Sequence, residues 1–341
     1  MLERYDADIL RVFIEQLGQR DSLPSITPII SGSDFRNIFQ QTKEFTSSSP
    51  SGIHIGHYKL ATRSKYLSDI HAAFMSLPFQ YGFSLRRWQQ STHVMLPKLE
   101  RPYLHKLRII QLFEGDFIAA LKILYAKRLM HHSENNLLNP DQIYAGRKGR
   151  TVHDCLVNLQ LTYEISQTIR EPMAIIFNDM AGCFDRIRLN LNTITTRRLG
   201  VPKEVAISHA KTITGMEHRI RTAFGDSEGT ISPSTLLGGS GQGSGGSPSA
   251  CHSQLLPMLA TLEKLTNGQH LSDPTNTIQV SQHIISWVDD TVNKEDLSRN
   301  TSINNHIHRV GDILKKWRWI LRTTGGDLEL SKTVVYLLDY V

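Results

Sequence analysis

Asp289 and Asp290 stand side by side in the run Ile284-Ile285-Ser286-Trp287-Val288-Asp289-Asp290-Thr291-Val292. Adjacent carboxylates repel each other, and a hard divalent cation such as Mg²⁺, which takes oxygen ligands, is the simplest way to neutralise them. The apolar, β-branched approach followed by polar residues predicts a strand ending in a tight hairpin turn, with both acids at its tip. On its own the run is more simply read as a solvated surface turn. A second acidic cluster comes earlier, Phe177-Asn178-Asp179-Met180-Ala181-Gly182-Cys183-Phe184-Asp185-Arg186-Ile187. Asp179 closes the apolar run Met173-Ala174-Ile175-Ile176-Phe177, which suits a buried strand. A strand placed beside the hairpin would bring three carboxylates together: Asp179, Asp289 and Asp290. Such a set could hold two Mg²⁺ ions about 3.5–4 Å apart, one activating an attacking hydroxyl and one stabilising a departing pyrophosphate.

Between the clusters lies Gly238-Gly239-Ser240-Gly241-Gln242-Gly243-Ser244-Gly245-Gly246-Ser247-Pro248. Glycines permit close backbone approach to a ligand, and Gln242 offers donors and an acceptor. A flexible linker is the plain alternative, but Ser247-Pro248 predicts a helix start immediately afterwards.

The elements that must position these residues read as a mixture of helices and strands. Apolar positions 117, 118, 121, 124, 125 and 129 follow a helical period, as does the segment 151–170, which Pro172 closes. Helices are predicted near 186–199 and 203–215, and a strand over 216–224. After the hairpin, positions 303, 307, 310, 314, 317 and 321 form an apolar stripe ending at Gly325-Gly326, followed by terminal strand structure. Within the first fifty residues a short amphipathic start gives way to a polar stretch that ends in a linker, Thr46 to Gly52. The alternation lacks a regular βαβ rhythm, so the expected class is α+β.

The chain has 341 residues, 40% hydrophobic, 21% charged and 8% aromatic, an ordinary globular balance. Its net charge of +6 is compatible with a polyanionic partner and with a merely basic surface. Cys155, Cys183 and Cys251 are odd in number and widely spaced, which argues against a disulfide framework or a zinc site and for a reducing intracellular compartment, cytoplasm or nucleus. The charged N-terminus is unlike a secretory signal, and no apolar run approaches the ~18 residues of a membrane span. His54 and His57 have i,i+3 spacing but no third ligand, so a structural role is expected of them. Trp317 belongs to the apolar stripe, which leaves Trp319 partly exposed.

Six blocks in order resemble the reverse transcriptase family, especially the RNA-directed DNA polymerases of non-LTR (LINE-like) retrotransposons. Leu96-Pro97-Lys98 with Leu107-Arg108-Ile109-Ile110-Gln111-Leu112 is similar to the fingers signature, with Ile109 where proline is usual. Asp141 to Thr151 resembles the block that follows. Asp179 to Asp185 is similar to motif A, Gln242-Gly243 with Ser247-Pro248 to motif B, and Trp287-Val288-Asp289-Asp290 to motif C, with tryptophan in place of the usual Tyr or Phe. Gly326 to Thr333 is similar to motif D. The resemblance covers roughly residues 95–335.

The resemblance implies a right-hand polymerase with an antiparallel palm sheet backed by helices: an extension over 1–84, fingers over 85–172 and a palm over 173–341, the thumb largely or wholly absent. It makes Asp179, Asp289 and Asp290, with the Met180 carbonyl, the ligands of two Mg²⁺ ions, Mn²⁺ being able to substitute. Lys98 and Arg108 would bind the triphosphate, Gln242 and Gly243 would line the nucleotide pocket, and Lys332 would give a proton to pyrophosphate. Phe184 stands where the family carries an aromatic gate against a 2′-hydroxyl, which favours deoxynucleotides and disfavours an RNA-dependent RNA polymerase. The implied partners are an RNA or DNA template with its primer, deoxynucleoside triphosphates, and a partner chain or further segment supplying a thumb; no membrane is implied. A non-catalytic nucleic-acid-binding remnant of such an enzyme is the alternative.

Overall fold

The computed structural model describes residues 6–18, 23–46, 51–97, 103, 107–231, 239, 241, 243–273, 275, 277–297, 299 and 301–339. The first part of the chain is helical: α1 (Ala7–Gln16), α2 (Gly32–Gln41), α3 (Ile55–Ala61) and α4 (Lys65–Tyr81). Strands β1 (Gln90–Leu96) and β2 (Arg108–Leu112) follow, then α5 (Gly115–Leu121), a π-helical stretch (Lys122–Leu129), α6 (Met130–Asn135) and α7 (Val152–Ile169). The middle holds β3 (Met173–Asp179), α8 (Cys183–Arg186), α9 (Leu189–Arg198), α10 (Lys203–Thr214), β4 (Glu217–Thr222), β5 (Gly225–Asp226) and α11 (Ser247–Leu265). Last come β6 (Gln269–Ser272), β7 (Gln279–Gln282), β8 (Ile284–Trp287), β9 (Asp290–Asp296), α12 (Ile303–Thr324) and β10 (Val334–Leu338). The protein is α+β, with antiparallel and mixed sheets backed by helices. Among the described residues no helix is long and apolar enough to cross a membrane.

The chain forms two compact units, each discontinuous in sequence. The first comprises Met1–Gln19, Leu137–Arg186 and Cys251–Val341. Its sheet has the order β10-β3-β9-β8, antiparallel throughout, with a separate β6-β7 ribbon. Because side chains alternate across a sheet, β3 presents Ala174 and Ile176 to one face, where they pack with Leu297 and with Val310 and Ile313 of α12. Met173 and Ile175 point the other way and pack with Val292 and with Leu159 of α7. Thr151 and Asp154 start α7 with a reciprocal capping box. Gly325, at φ 97°, closes α12 in the left-handed conformation that favours glycine. The buried face of α12 runs through Val310, Ile313, Trp317 and Leu321. Ile303 and Ile307, expected in the apolar stripe, are each 55% exposed, and the buried position in those first turns is His306.

The second unit, Arg20–Asn136 and Ile187–Ala250, is built on the sheet β2-β1-β4-β5. Strands β1 and β4 run parallel within it and the other pairs are antiparallel. Phe35, Phe39 and Tyr58 stack in its helical layer, and Phe79, Trp88 and Phe117 continue the aromatic core. Under that core lies a buried ionic network. Arg87 donates to Glu114 at 3.0 Å and to both oxygens of Asp116, and the Trp88 indole N–H donates to Asp116 at 2.9 Å. Ser51 adds a backbone N–H and a hydroxyl to Glu114.

Candidate active site

The site of interest lies at one end of the first unit's sheet. Strands β3 and β9 pair in a register that sets Asp179 directly opposite Asp290. Strands β8 and β9 close in the register Trp287↔Asp290, so Val288 and Asp289 are the two central residues of the hairpin turn. Val288 has φ 60° and Asp289 is not among the residues with positive φ, the pattern of a type II′ turn. A β-branched side chain in that conformation is strained by about 1–3 kcal/mol and persists only where the surroundings impose it. Here the imposing contacts are visible. The Met180 N–H donates to the Asp289 carbonyl at 3.2 Å, and Ser286 Oγ donates to the Val288 carbonyl at 3.3 Å. The segment 142–144 borders β8, with Tyr144 N–H donating to Ser286 O and Ser286 N–H to Gln142 O.

Asp179 is held from its other side by the segment after α12. The Glu329 N–H donates to the Asp179 carbonyl and the Ala181 N–H to the Asp327 carbonyl, both at 2.9 Å, around a bridge between Met180 and Leu328. The bonds of that bridge use Asp179 C=O and Ala181 N–H and leave the Met180 carbonyl out of them. Asp327 is itself anchored: Arg318 Nε donates to it at 2.8 Å, the Leu328 N–H at 2.8 Å and Arg322 at 3.4 Å. Burial pushes the Asp327 carboxyl up, but these donors outweigh it and hold it at about 2. The role of Asp327 as an anchor was not read from the sequence. Its signal was the i,i+4 pair Arg318 and Arg322 just ahead of a Gly-Gly-Asp turn.

The Lys332 ammonium sits on the Asp179 carboxylate, and that bond pushes the lysine pKa up. Burial raises the Asp290 pKa, the Asp289 and Asp179 charges raise it further, and Lys332 opposes them. Three carboxylates against one ammonium leave excess negative charge, the condition a divalent cation relieves. Oxygen donors of this kind suit Mg²⁺, and Lys332 already stands as a cation on one of them. Among the described residues, no group of three or more His, Cys, Asp or Glu side chains is gathered into a ready-made metal cage. The fit therefore rests on register, charge and donor type.

The same sheet face carries Phe177, Val334 and Tyr336, exposed by 38%, 46% and 51%, so the surface beside the acids is open. Phe184 lies in α8 of the same unit and is half-buried. Arg108 and Gly243 belong to the second unit. Arg108 opens β2 and is exposed. Gly243, at φ +118°, lies against the same strand: a Cβ there would come within 2.4 Å of the Gln111 carbonyl oxygen, so only glycine fits. Lys98 and Gln242 lie outside the described residues. His54 caps α3, its Nδ1 accepting the Gly56 N–H at 3.1 Å, which is the structural role expected of it. Trp317 is fully buried and Trp319 is half-exposed under the Arg322 guanidinium. The chain matches no protein-family model and no curated protein.

Proposed function

We propose that the chain is a reverse-transcriptase-like, RNA-directed DNA polymerase core of the non-LTR retrotransposon kind, adding deoxynucleotides to a primer 3′-hydroxyl. The observation that carries this reading is the pairing of Asp179 with Asp290 at the end of a strained two-residue hairpin that also presents Asp289. Strain at a rigidly mounted carboxylate pair is the kind of feature that functional sites retain. In this reading the first unit's sheet belongs to the palm, and β1 and β2 belong to the fingers.

Asp179, Asp289 and Asp290, with the Met180 carbonyl, are the groups that would hold Mg²⁺, or Mn²⁺ in its place. When bound, the metal supplies Lewis-acid activation of a hydroxyl and neutralises charge on a departing pyrophosphate. The chain's own residues do the rest. The Asp289 and Asp327 carbonyls fix the backbone at Met180 and Ala181 and so aim Asp179. Lys332, released from Asp179, has a proton to give to pyrophosphate. Phe184 excludes a ribose 2′-hydroxyl. The resemblance assigns Lys98 and Arg108 to the triphosphate and Gln242 and Gly243 to the nucleotide pocket. Phosphate contacts of this kind make template binding fall with salt.

The test is primer extension by the purified chain on an RNA template annealed to a DNA primer, with deoxynucleotides and Mg²⁺ or Mn²⁺, beside Asp289→Asn. Extension by the parent and none by the variant supports the reading. No extension by the parent, with template binding that survives loss of all three acids, replaces it with a nucleic-acid-binding remnant.

A further inference from the structure

Two cysteines that are far apart in sequence meet in the first unit. Cys183 opens α8, just after the turn that follows Asp179, and Cys251 lies in the first turns of α11. Their sulfurs are 3.0 Å apart, and all three cysteines of the chain are free thiols. A disulfide needs about 2.05 Å between sulfurs, so a closure of about 1 Å converts the contact to a bond. Cys251 sits on a fixed support, because the adjacent His252 is buried and its Nε2 shares a 2.8 Å hydrogen bond with Asn139. Cys155 has no such neighbour: it packs with Tyr144 and Ile285 in an apolar cluster. A structural zinc site needs four nitrogen or sulfur ligands, and among the described residues no group of three His, Cys, Asp or Glu side chains is assembled. Two thiols in contact are placed for oxidation to a cross-link.

We propose that Cys183 and Cys251 form a reversible intramolecular disulfide that ties the turn after β3 to α11. With hydrogen peroxide as oxidant, one thiol is oxidised to a sulfenic acid with release of water. The second thiol then displaces a second water as the sulfur–sulfur bond forms. Overall, two thiols and one peroxide give one disulfide and two waters, the two electrons passing from the sulfurs to the peroxide oxygens. A dithiol such as dithiothreitol returns both thiols. The hydrogen bond with Cys251 and burial push the Cys183 thiol well up. The cross-link holds α8, and with it Phe184 and Asp185, against α11. It stands or falls without reference to polymerase chemistry.

The experiment treats the full chain with hydrogen peroxide, alkylates the remaining thiols, and maps peptides by mass with and without dithiothreitol. Alkylatable thiols are expected to fall from three to one, with a Cys183–Cys251 peptide pair lighter by two hydrogens. The melting temperature should rise by about 5 °C or more, because the link closes a long loop; dithiothreitol should reverse all three changes. Cys155→Ser should leave the linked pair intact, and Cys251→Ser should abolish it. Should Cys251→Ser not fold, Cys155→Ser and the parent chain carry the test by themselves. The proposal is overturned if both thiols stay alkylatable, if Cys183 is oxidised without linkage, or if the bond found involves Cys155.

Discussion

Lys294 lies in β9, four residues beyond Asp290, and is 1% exposed. Its ammonium donates to Asn158 Oδ1 at 2.9 Å, to Thr162 Oγ1 at 2.6 Å and to the Gln282 side-chain carbonyl. Burial pulls its pKa down to about 7, with Cys155 the opposing influence. An unfolded lysine titrates near 10.4. Between about pH 7 and pH 10.4 the unfolded chain therefore holds a proton that the folded chain does not, and stability rises with pH. The slope is roughly 1.4 kcal/mol per pH unit, on the order of 5 kcal/mol across the window. Below about pH 7 both states are charged and the contribution is flat at its least favourable level. Lys294→Met removes the titration while keeping much of the volume. Urea unfolding of both proteins between about pH 6 and pH 10 should show the parent gaining on the variant steadily above pH 7, and other titrating groups cancel in the difference. A difference that stays flat over that range would refute the reasoning, since it would mean that three acceptors keep the buried ammonium charged throughout.

Three further outcomes follow from the same geometry. Arg87→Met strands Glu114 and Asp116, which are 1% and 4% exposed, and should cost about 3 kcal/mol, the low end for a broken buried pair because Trp88 and Ser51 remain as donors; a loss below about 1 kcal/mol in denaturant unfolding would count against the network. Gly243→Ala meets the Gln111 carbonyl oxygen in a left-handed conformation and should lower stability by at least about 1–2 kcal/mol in the same assay. Phe184→Ala should admit ribonucleotides in primer extension, and unchanged sugar selection would remove the gate from the account.

The elements around the acids were the most legible part of the chain. The run Met173 to Phe177 became β3, the stretch 151–170 became α7, and the Asp-Asp run became a hairpin with Asp289 in its turn and Asp290 opening the next strand, because each has a clean period or a clear stop signal. Legibility failed where structure depends on distant partners. The stretch between the amphipathic start and the linker contains α2, and the capping box at Ser31 and Asp34 is its local signal. The helical period over 117–129 was seen, but nothing in it marked the π-helical widening from Lys122 to Leu129. The parallel pairing of β1 with β4 joins strands over a hundred residues apart, and no local pattern reports such a pairing. The nearness of Cys183 to Cys251 was hidden for the same reason: spacing arguments see neighbours in sequence, and these two meet only through the fold.

The central claim is that Asp179, Asp289 and Asp290 act as one cation-binding set whose mutual repulsion the fold tolerates for the sake of chemistry. Single-nucleotide addition under single-turnover conditions, measured for the separate Asn variants alongside their melting temperatures, tests it most directly. The account predicts that Asp179→Asn and Asp290→Asn each lose about 10³-fold or more in rate, equivalent to several kcal/mol. It also predicts unchanged or raised melting temperatures, because removing one of three crowded carboxylates relieves repulsion. Addition that persists within about tenfold of the parent, or a rate lost only together with the fold, would contradict it.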